Sequence, residues 1–309
     1  MKTLINLDQG VLEALEFFKQ SKIKEIKLKD FGFPIVVGSG NAYNTAQILF
    51  SDQRAIICDE SNFKHHLQVY RDLIKDKIID QAVVISASGE KDAIWETELA
   101  KKYQLKTTLL TCSPKSSAAE IADQVLVYPK IAEPYTYNIS TYLGMILSAS
   151  QEDPALILNF LENLRLKRGF KFYDSYTILL PDKFAALAPM IDIKKSELFG
   201  PKLSLRSFSF GQARHAKFVV RDKKELVISL GSDDNEFFGH PKSRWQIELP
   251  MEAKFAFVFC LSYYLVGKIQ QVKPPYFKDN IRFYCHDYGP QAYGQDKPFD
   301  IVVPGNINN

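Results

Sequence analysis

Cysteine is scarce in this chain, with four in 309 residues at positions 58, 112, 260 and 285, and no two of them form a C-x-x-C pair with metal-ligand spacing. That spacing argues against a zinc ribbon and points to reduced, mostly structural thiols, three of them in apolar or aromatic surroundings. Charge of one sign is lacking too. The 39 basic and 36 acidic residues are spread along the chain and leave a formal net charge of +3, so no basic stripe offers a nucleic-acid footprint, while a small anionic substrate stays open. No run approaches the roughly 18 uninterrupted apolar residues of a membrane span, and the N-terminus MKTLINLDQG has no charged region leading into a long apolar run. A cytoplasmic protein with no membrane partner is expected. No His, Cys and Asp cluster shows ligand spacing, so neither a metal nor an organic cofactor is expected. Low-complexity segments and short-period repeats are missing as well.

What is present is an ordinary globular composition, 46% hydrophobic and 24% charged, in a length that fits two domains at roughly 150 residues each. After an amphipathic opening helix (Val11, Leu12, Leu15, Phe17, Phe18), short apolar runs recur at 34–38, 54–59, 81–86, 105–112 and 124–128, separated by helical patterns. Strands apolar almost throughout and alternating with helices imply a parallel sheet covered on both faces. A helix over 137–150 follows, and the polar break Gln151-Glu152-Asp153-Pro154 ends the first domain. The reading is therefore α/β, two tandem doubly wound parallel-sheet domains of flavodoxin-like type, over 1–151 and 152–309. In the second, strands are expected at 176–180, 218–220, 226–230 and near 246–249, with a long apolar helix over 255–266. The remainder, 271–309, reads as an irregular tail around one strand at 281–285.

Chemistry concentrates at two strand-to-helix turns in the first half. In Val36-Val37-Gly38-Ser39-Gly40-Asn41-Ala42-Tyr43, glycines let the backbone turn after a strand, and the next helix points its free N–H groups outward, as an anion requires. Gly38, Gly40 and the later Asp59 also suggest a dinucleotide fingerprint, but Tyr43 stands where the third glycine belongs. A glycine turn with no ligand is the plain alternative. The second turn, Ser86-Ala87-Ser88-Gly89-Glu90-Lys91-Asp92, ends a buried strand in two hydroxyls and a glycine just before a helix. Hydroxyls at alternate positions beside orphan backbone donors can surround phosphate oxygens, although either serine can equally serve as a helix cap. In a doubly wound sheet both turns lie at the carboxyl edge, where such folds bind ligands.

These two turns, with Thr111-Cys112-Ser113-Pro114 and Ala122-Asp123 behind them, resemble the sugar isomerase (SIS) domain family, best over 30–150 and more weakly over the whole chain. The match is to double-domain members such as the isomerase part of glucosamine-6-phosphate synthase and the bifunctional phosphoglucose/phosphomannose isomerases. The resemblance implies a phosphosugar ligand held by Gly38, Ser39, Gly40, Asn41, Ser86, Ser88, Gly89 and Lys91, and a homodimer with shared active sites. Members usually carry glutamine where Ala87 stands, threonine at Lys91 and asparagine at Ser113, so here a cation replaces a neutral phosphate donor. The second half shows no serine-rich loop: Leu179-Leu180-Pro181-Asp182 follows one strand and the acidic Gly231-Ser232-Asp233-Asp234 another.

Catalysis in the resembling isomerases uses a glutamate base that starts a helix of the second domain, and a histidine that opens the sugar ring. Glu197 and His215 fall near those places, although the glycine and proline that commonly follow the histidine are missing after His215. Glu197 reads otherwise as a helix-terminal carboxylate, and His215 as a surface histidine between Arg214 and Lys217. Glu133, before Pro134-Tyr135-Thr136, either orients the sugar or caps the next helix, and His65 and His66 read as solvated. The expected function is a phosphosugar aldose-ketose isomerase acting through an enediol. A non-catalytic phosphosugar-binding or sensing protein, and an amino-sugar-phosphate deaminase or deglycase, remain as alternatives.

Overall fold

The computed structural model describes residues 4–231, 237–286 and 297–306. Helix α1 (Leu7–Gln20) opens the chain, followed by β1 (Ile35–Gly38), α2 (Asn41–Leu49), β2 (Ile56–Cys58), α3 (Phe63–Val69), α4 (Arg71–Lys75) and β3 (Gln81–Ile85). Next come α5 (Asp92–Lys102), β4 (Lys106–Thr111), α6 (Ser117–Ile121), β5 (Gln124–Val127), β6 (Glu133–Pro134) and α7 (Ile139–Ser150). The second half carries α8 (Pro154–Asn163), β7 (Ser175–Leu180), α9 (Ala188–Phe199), β8 (Ser204–Ser209), α10 (Phe210–His215) and β9 (Glu225–Leu230). It ends in β10 (Arg244–Ile247), α11 (Phe255–Val272), α12 (Tyr276–His286) and β11 (Val302–Val303).

Two compact units result, and the chain termini trade places between them. The first unit is Gln20–Gln151 with the described part of Phe283–Asn309, and the second is Glu152–Arg282 with the described part of Met1–Lys19. The division into 1–151 and 152–309 is thereby corrected at both ends. The opening helix buries Leu7, Val11, Ala14, Leu15 and Phe18, and its start is held by second-unit groups. The Leu7 N–H donates to Gln270 Oε1 (2.8 Å), while Gln271 Nε2 and Lys268 Nζ reach Asp8 Oδ2 at 2.6 and 2.9 Å. At the other end β11 pairs antiparallel with β6, and Lys130 exchanges backbone hydrogen bonds with Asn306. Such long-range pairing leaves no local signature in sequence.

The first unit is a five-stranded, wholly parallel sheet in the order β2-β1-β3-β4-β5. Ile35, Val37, Ala82, Val84 and Leu109 join Phe63, Leu67, Ile74 and Ile79 in one core layer. Their strand neighbours Val36 and Val83 are equally buried, so both faces are covered and the runs read as continuously apolar. The order reverses between β1 and β3, and that reversal makes the crevice at a doubly wound sheet's carboxyl edge.

The second unit is a four-stranded parallel sheet, β10-β9-β7-β8, so the expectation of two tandem parallel α/β sheets holds. Its details depart from the sequence reading in three places. Residues 218–220 form no strand: Phe218 is buried after α10, but Val219 and Val220 point outward, Val220 80% exposed. The missing strand is β8, an edge strand whose Ser-Leu-Arg-Ser-Phe-Ser alternation hides it from a search for apolar runs. The expected strand at 281–285 is helical, because Phe277, Ile281 and Cys285 are buried at a spacing of four, one face of α12. Helix α11 is long and apolar enough to cross a membrane by length and composition, yet 78% of it is buried inside the protein. It is apolar because it is a core helix.

Candidate functional site

Strand register brings the two chemistry-bearing turns together. Gly38, the last residue of β1, pairs directly with Ile85, the last of β3, so Ser39-Gly40 and Ser86-Ala87-Ser88 leave the sheet side by side. Each turn then enters its helix in the same way. Gly40, before α2, has φ +56° and ψ −118°, and Lys91, before α5, has φ +57° and ψ −116°. No side chain caps either helix at these positions. The first-turn donors of both helices are therefore left to backbone, water or an anion.

The two turns differ in what that conformation costs. Glycine adopts it freely, whereas for a lysine the same dihedrals store about 1–3 kcal/mol. Lys91 is exposed, and its Nζ lies 3.6 Å from Asp92 Oδ2. Gly89 is required on two counts: its φ is +65°, and a Cβ there would sit 2.0 Å from Ser116 Oγ. Around it the turn is internally braced. The Gly89 N–H donates to Ser86 Oγ (3.1 Å) and the Glu90 N–H to Ser88 Oγ (3.3 Å), so each serine uses an acceptor lone pair on its own turn and keeps its O–H as a donor. The Thr111 and Ser113 hydroxyls and the Cys112 N–H all donate to the Ala87 carbonyl, locking the end of β4 onto the turn. Ser113 thus serves as a brace. On the β1 side, Asn41 is buried and its side-chain oxygen accepts no hydrogen bond.

Glu133 is buried, and its two uses separate here. Its Oε2 accepts the Ile139 N–H (2.7 Å), and its Oε1 accepts the Ser140 and Thr141 hydroxyls at 2.9 and 3.3 Å. The carboxylate therefore caps α7 from outside the helix. Burial raises its pKa, and the helix-start hydrogen bonds oppose that rise.

Glu197 and His215 lie in the second unit, and neither has the setting the resemblance implied. Glu197 sits in the last turn of α9 instead of starting a helix. It lies 2.6 Å from Nζ of Lys194, whose side chain is wholly buried. A carboxylate in that place helps neutralise the buried ammonium, which also lies 5.8 Å from the Tyr263 ring centroid. His215 is the exposed last residue of α10. The α10 end of the sheet carries its own anion: Asp182 Oδ1 accepts the Gly211 N–H (2.7 Å), with Arg214 at 3.9 Å. That backbone bond, with help from Ser209 and Arg214, lowers the Asp182 pKa. Of the acidic turn after β9, Ser232, Asp233 and Asp234 lie outside the described residues.

Sequence reasoning overlooked Ser116, whose side chain walls the space beside Gly89, and Glu96, buried on α5 one turn behind Asp92. Ser116 carries no local signal, while Glu96 on the buried face of α5, beside Ala93 and Ala100, is the kind of mismatch that marks a perturbed group. Among the described residues, no cluster of three or more His, Cys, Asp or Glu side chains is disposed to hold a metal ion.

No protein-family signature and no curated protein sequence matches the chain. Solved structures do match its fold. Glucosamine-6-phosphate deaminase from Thermotoga maritima superposes with a TM-score of 0.58 at 16% identity, over 86% of this chain and 94% of that one. The C-terminal domain of glucosamine-fructose-6-phosphate aminotransferase from Francisella tularensis gives 0.56 at 15%, over 86% and 93%. Tagatose-6-phosphate ketose/aldose isomerase from Escherichia coli gives 0.51 at 14%, over 86% of each chain. At such identities the likeness is one of fold, and the tandem parallel α/β fold implied by the SIS resemblance is the fold that this chain shares with these three proteins.

Proposed function

We propose that the protein binds a sugar phosphate at the carboxyl edge of the five-stranded sheet, with the phosphate between the turns that follow β1 and β3. The observation that carries this reading is the Gly38–Ile85 register, which sets two uncapped helix starts of equal geometry next to each other. Ser86 and Ser88 supply hydroxyl donors, Ser39 and Gly40 the facing backbone, and Lys91 an exposed cation. Asn41 offers the sugar an acceptor already desolvated. Calorimetric titration with fructose 6-phosphate and related ketose phosphates tests it. Ser88→Ala removes one hydrogen bond to a charged group, worth about 1.5–3 kcal/mol, so affinity should fall about ten- to over a hundredfold with folding little changed. Unchanged affinity in both Ser88→Ala and Lys91→Ala would sink the assignment.

A second reading makes the protein an aldose-ketose isomerase with Glu197 as base and His215 in ring opening. The fold it shares with a ketose/aldose isomerase and a deaminase favours it. The Lys194 ion pair favours binding without turnover, since a carboxylate held by an ammonium is a poor acceptor for a carbon-bound proton. Incubation with ketose phosphates in deuterated water separates the two: label at carbon 1 or 2, lost in Glu197→Gln, establishes the isomerase. A homodimer with shared sites belongs to the same proposal, and sedimentation showing only the 35.3 kDa protomer at micromolar concentration would count against it.

A further inference from the structure

Helix α5 holds a buried acid that the binding site does not use. Glu96 is 1% exposed, and its Oε1 accepts no hydrogen bond. The charged groups acting on it are acidic: Asp92 one turn earlier on the same helix, and Glu60 and Asp59 from the loop after β2. Glu60 Oε2 is itself buried without a partner, and Cys58 on β2 faces the same cluster, its thiol pushed up to about 12 mainly by burial and then by Glu96 and Asp59. An ionised Glu96 would bring a further negative charge among these acidic groups, with no donor to its Oε1 among the described residues. As the neutral acid it adds no charge to the cluster and gains an O–H donor.

We propose that the buried Glu96 carboxyl is a proton latch on α5, whose deprotonation loosens the helix start at Lys91-Asp92 and weakens sugar-phosphate binding. The link to binding rests on the site proposed above. Burial is the largest influence on Glu96 and the three carboxylates add to it, pushing its pKa up to about 8. A carboxyl raised in the folded state leaves stability complete below the unfolded glutamate value of about 4.3 and removes it progressively as pH rises through about 8. The strain that reaches the ligand is short-ranged. Glu96 repels Asp92, and Asp92 both follows the strained Lys91 and accepts the Trp95 indole N–H at 3.3 Å.

Trp95 is therefore the natural reporter, 6.2 Å from the Phe63 ring and on the helix in question. In the full-length protein with Trp245→Phe, which leaves Trp95 as the sole tryptophan, its emission is followed from pH 6 to 10. One transition near pH 8, abolished by Glu96→Gln, is the expected result. No transition overturns the latch without need of any variant, as does a transition that survives Glu96→Gln. Calorimetry with fructose 6-phosphate at pH 7 and pH 9 tests the link. The phosphate's second ionisation, near pH 6, is past at both values, so ligand charge does not confound it. Affinity should fall severalfold at pH 9 in the parent and stay level in Glu96→Gln; equal affinities in the parent overturn the link. Absence of binding at both pH values overturns the binding site, while the Trp95 titration still decides the latch.

Discussion

The two parallel sheets treat the turns at their carboxyl edges differently. In the first unit the helices after β1 and β3 start at Gly40 and Lys91 with no side-chain cap. In the second unit α10, after β8, starts with a capping box between Ser209 and Gln212, and the Asp182 carboxylate takes the next N–H, that of Gly211. Free helix-start N–H groups favour an anion in either place, and at α10, entered from the extended Ser209, the chain supplies one itself. A sheet edge that satisfies itself has little left for phosphate, which is the physical reason for proposing a phosphate site in the first unit and none at α10.

Three substitutions probe that contrast. The largest effect is expected at Gly89, where alanine meets both a positive φ and the Ser116 side chain at 2.0 Å. Gly89→Ala should destabilise the protein by about 2–3 kcal/mol and abolish sugar-phosphate binding, read by urea unfolding and calorimetry. Full stability would show that the turn relaxes freely and is not the rigid cradle described. A smaller effect is expected at Asp182. Removing its carboxylate in Asp182→Ala should cost about 0.5–1 kcal/mol, the value of a solvent-screened helix-start anion, without creating a phosphate site on so short a helix. Because the folded-state pKa of Asp182 is lowered, its contribution is present above the unfolded aspartate value of about 3.9 and fades as pH falls below it. The stability gap between parent and Asp182→Ala should then close in acid; a gap independent of pH would assign the effect to packing.

A change in stability of similar size but opposite sign is expected at Lys91. Lys91→Gly relieves the strain at φ +57° and should raise stability by about 1 kcal/mol while lowering phosphate affinity. Lys91→Ala keeps the strain and loses the cation, so it should match the affinity loss without the gain. Equal stability of the two variants would mean that Lys91 is not strained, and the likeness between the Gly40 and Lys91 turns would lose its meaning.

Much of the fold was legible because buried parallel strands write themselves as apolar runs. All five strands of the first sheet fall within the expected segments, and β7 and β9 match theirs but begin one residue earlier, at Ser175 and Glu225. An alternating strand escapes that rule, as β8 does, and Phe218-Val219-Val220 is apolar without being a strand. At the site, the residue types of both turns were readable, since glycine and serine after a strand have few local uses. Glu133 was visible as a carboxylate, but its capping of α7 depends on where the chain returns six residues later.

By itself, the sequence determined the parallel α/β class, the two turns and their polar chemistry, because these follow from local periodicity and backbone freedom. Tertiary structure alone decided that Gly38 and Ile85 pair and so join the turns, that Glu197 answers a buried Lys194, and that the termini exchange units. It also decided that Glu96 lies buried among carboxylates. Each of these is a contact between residues distant along the chain, or between a side chain and the burial around it, and neither is written in the order of neighbouring amino acids.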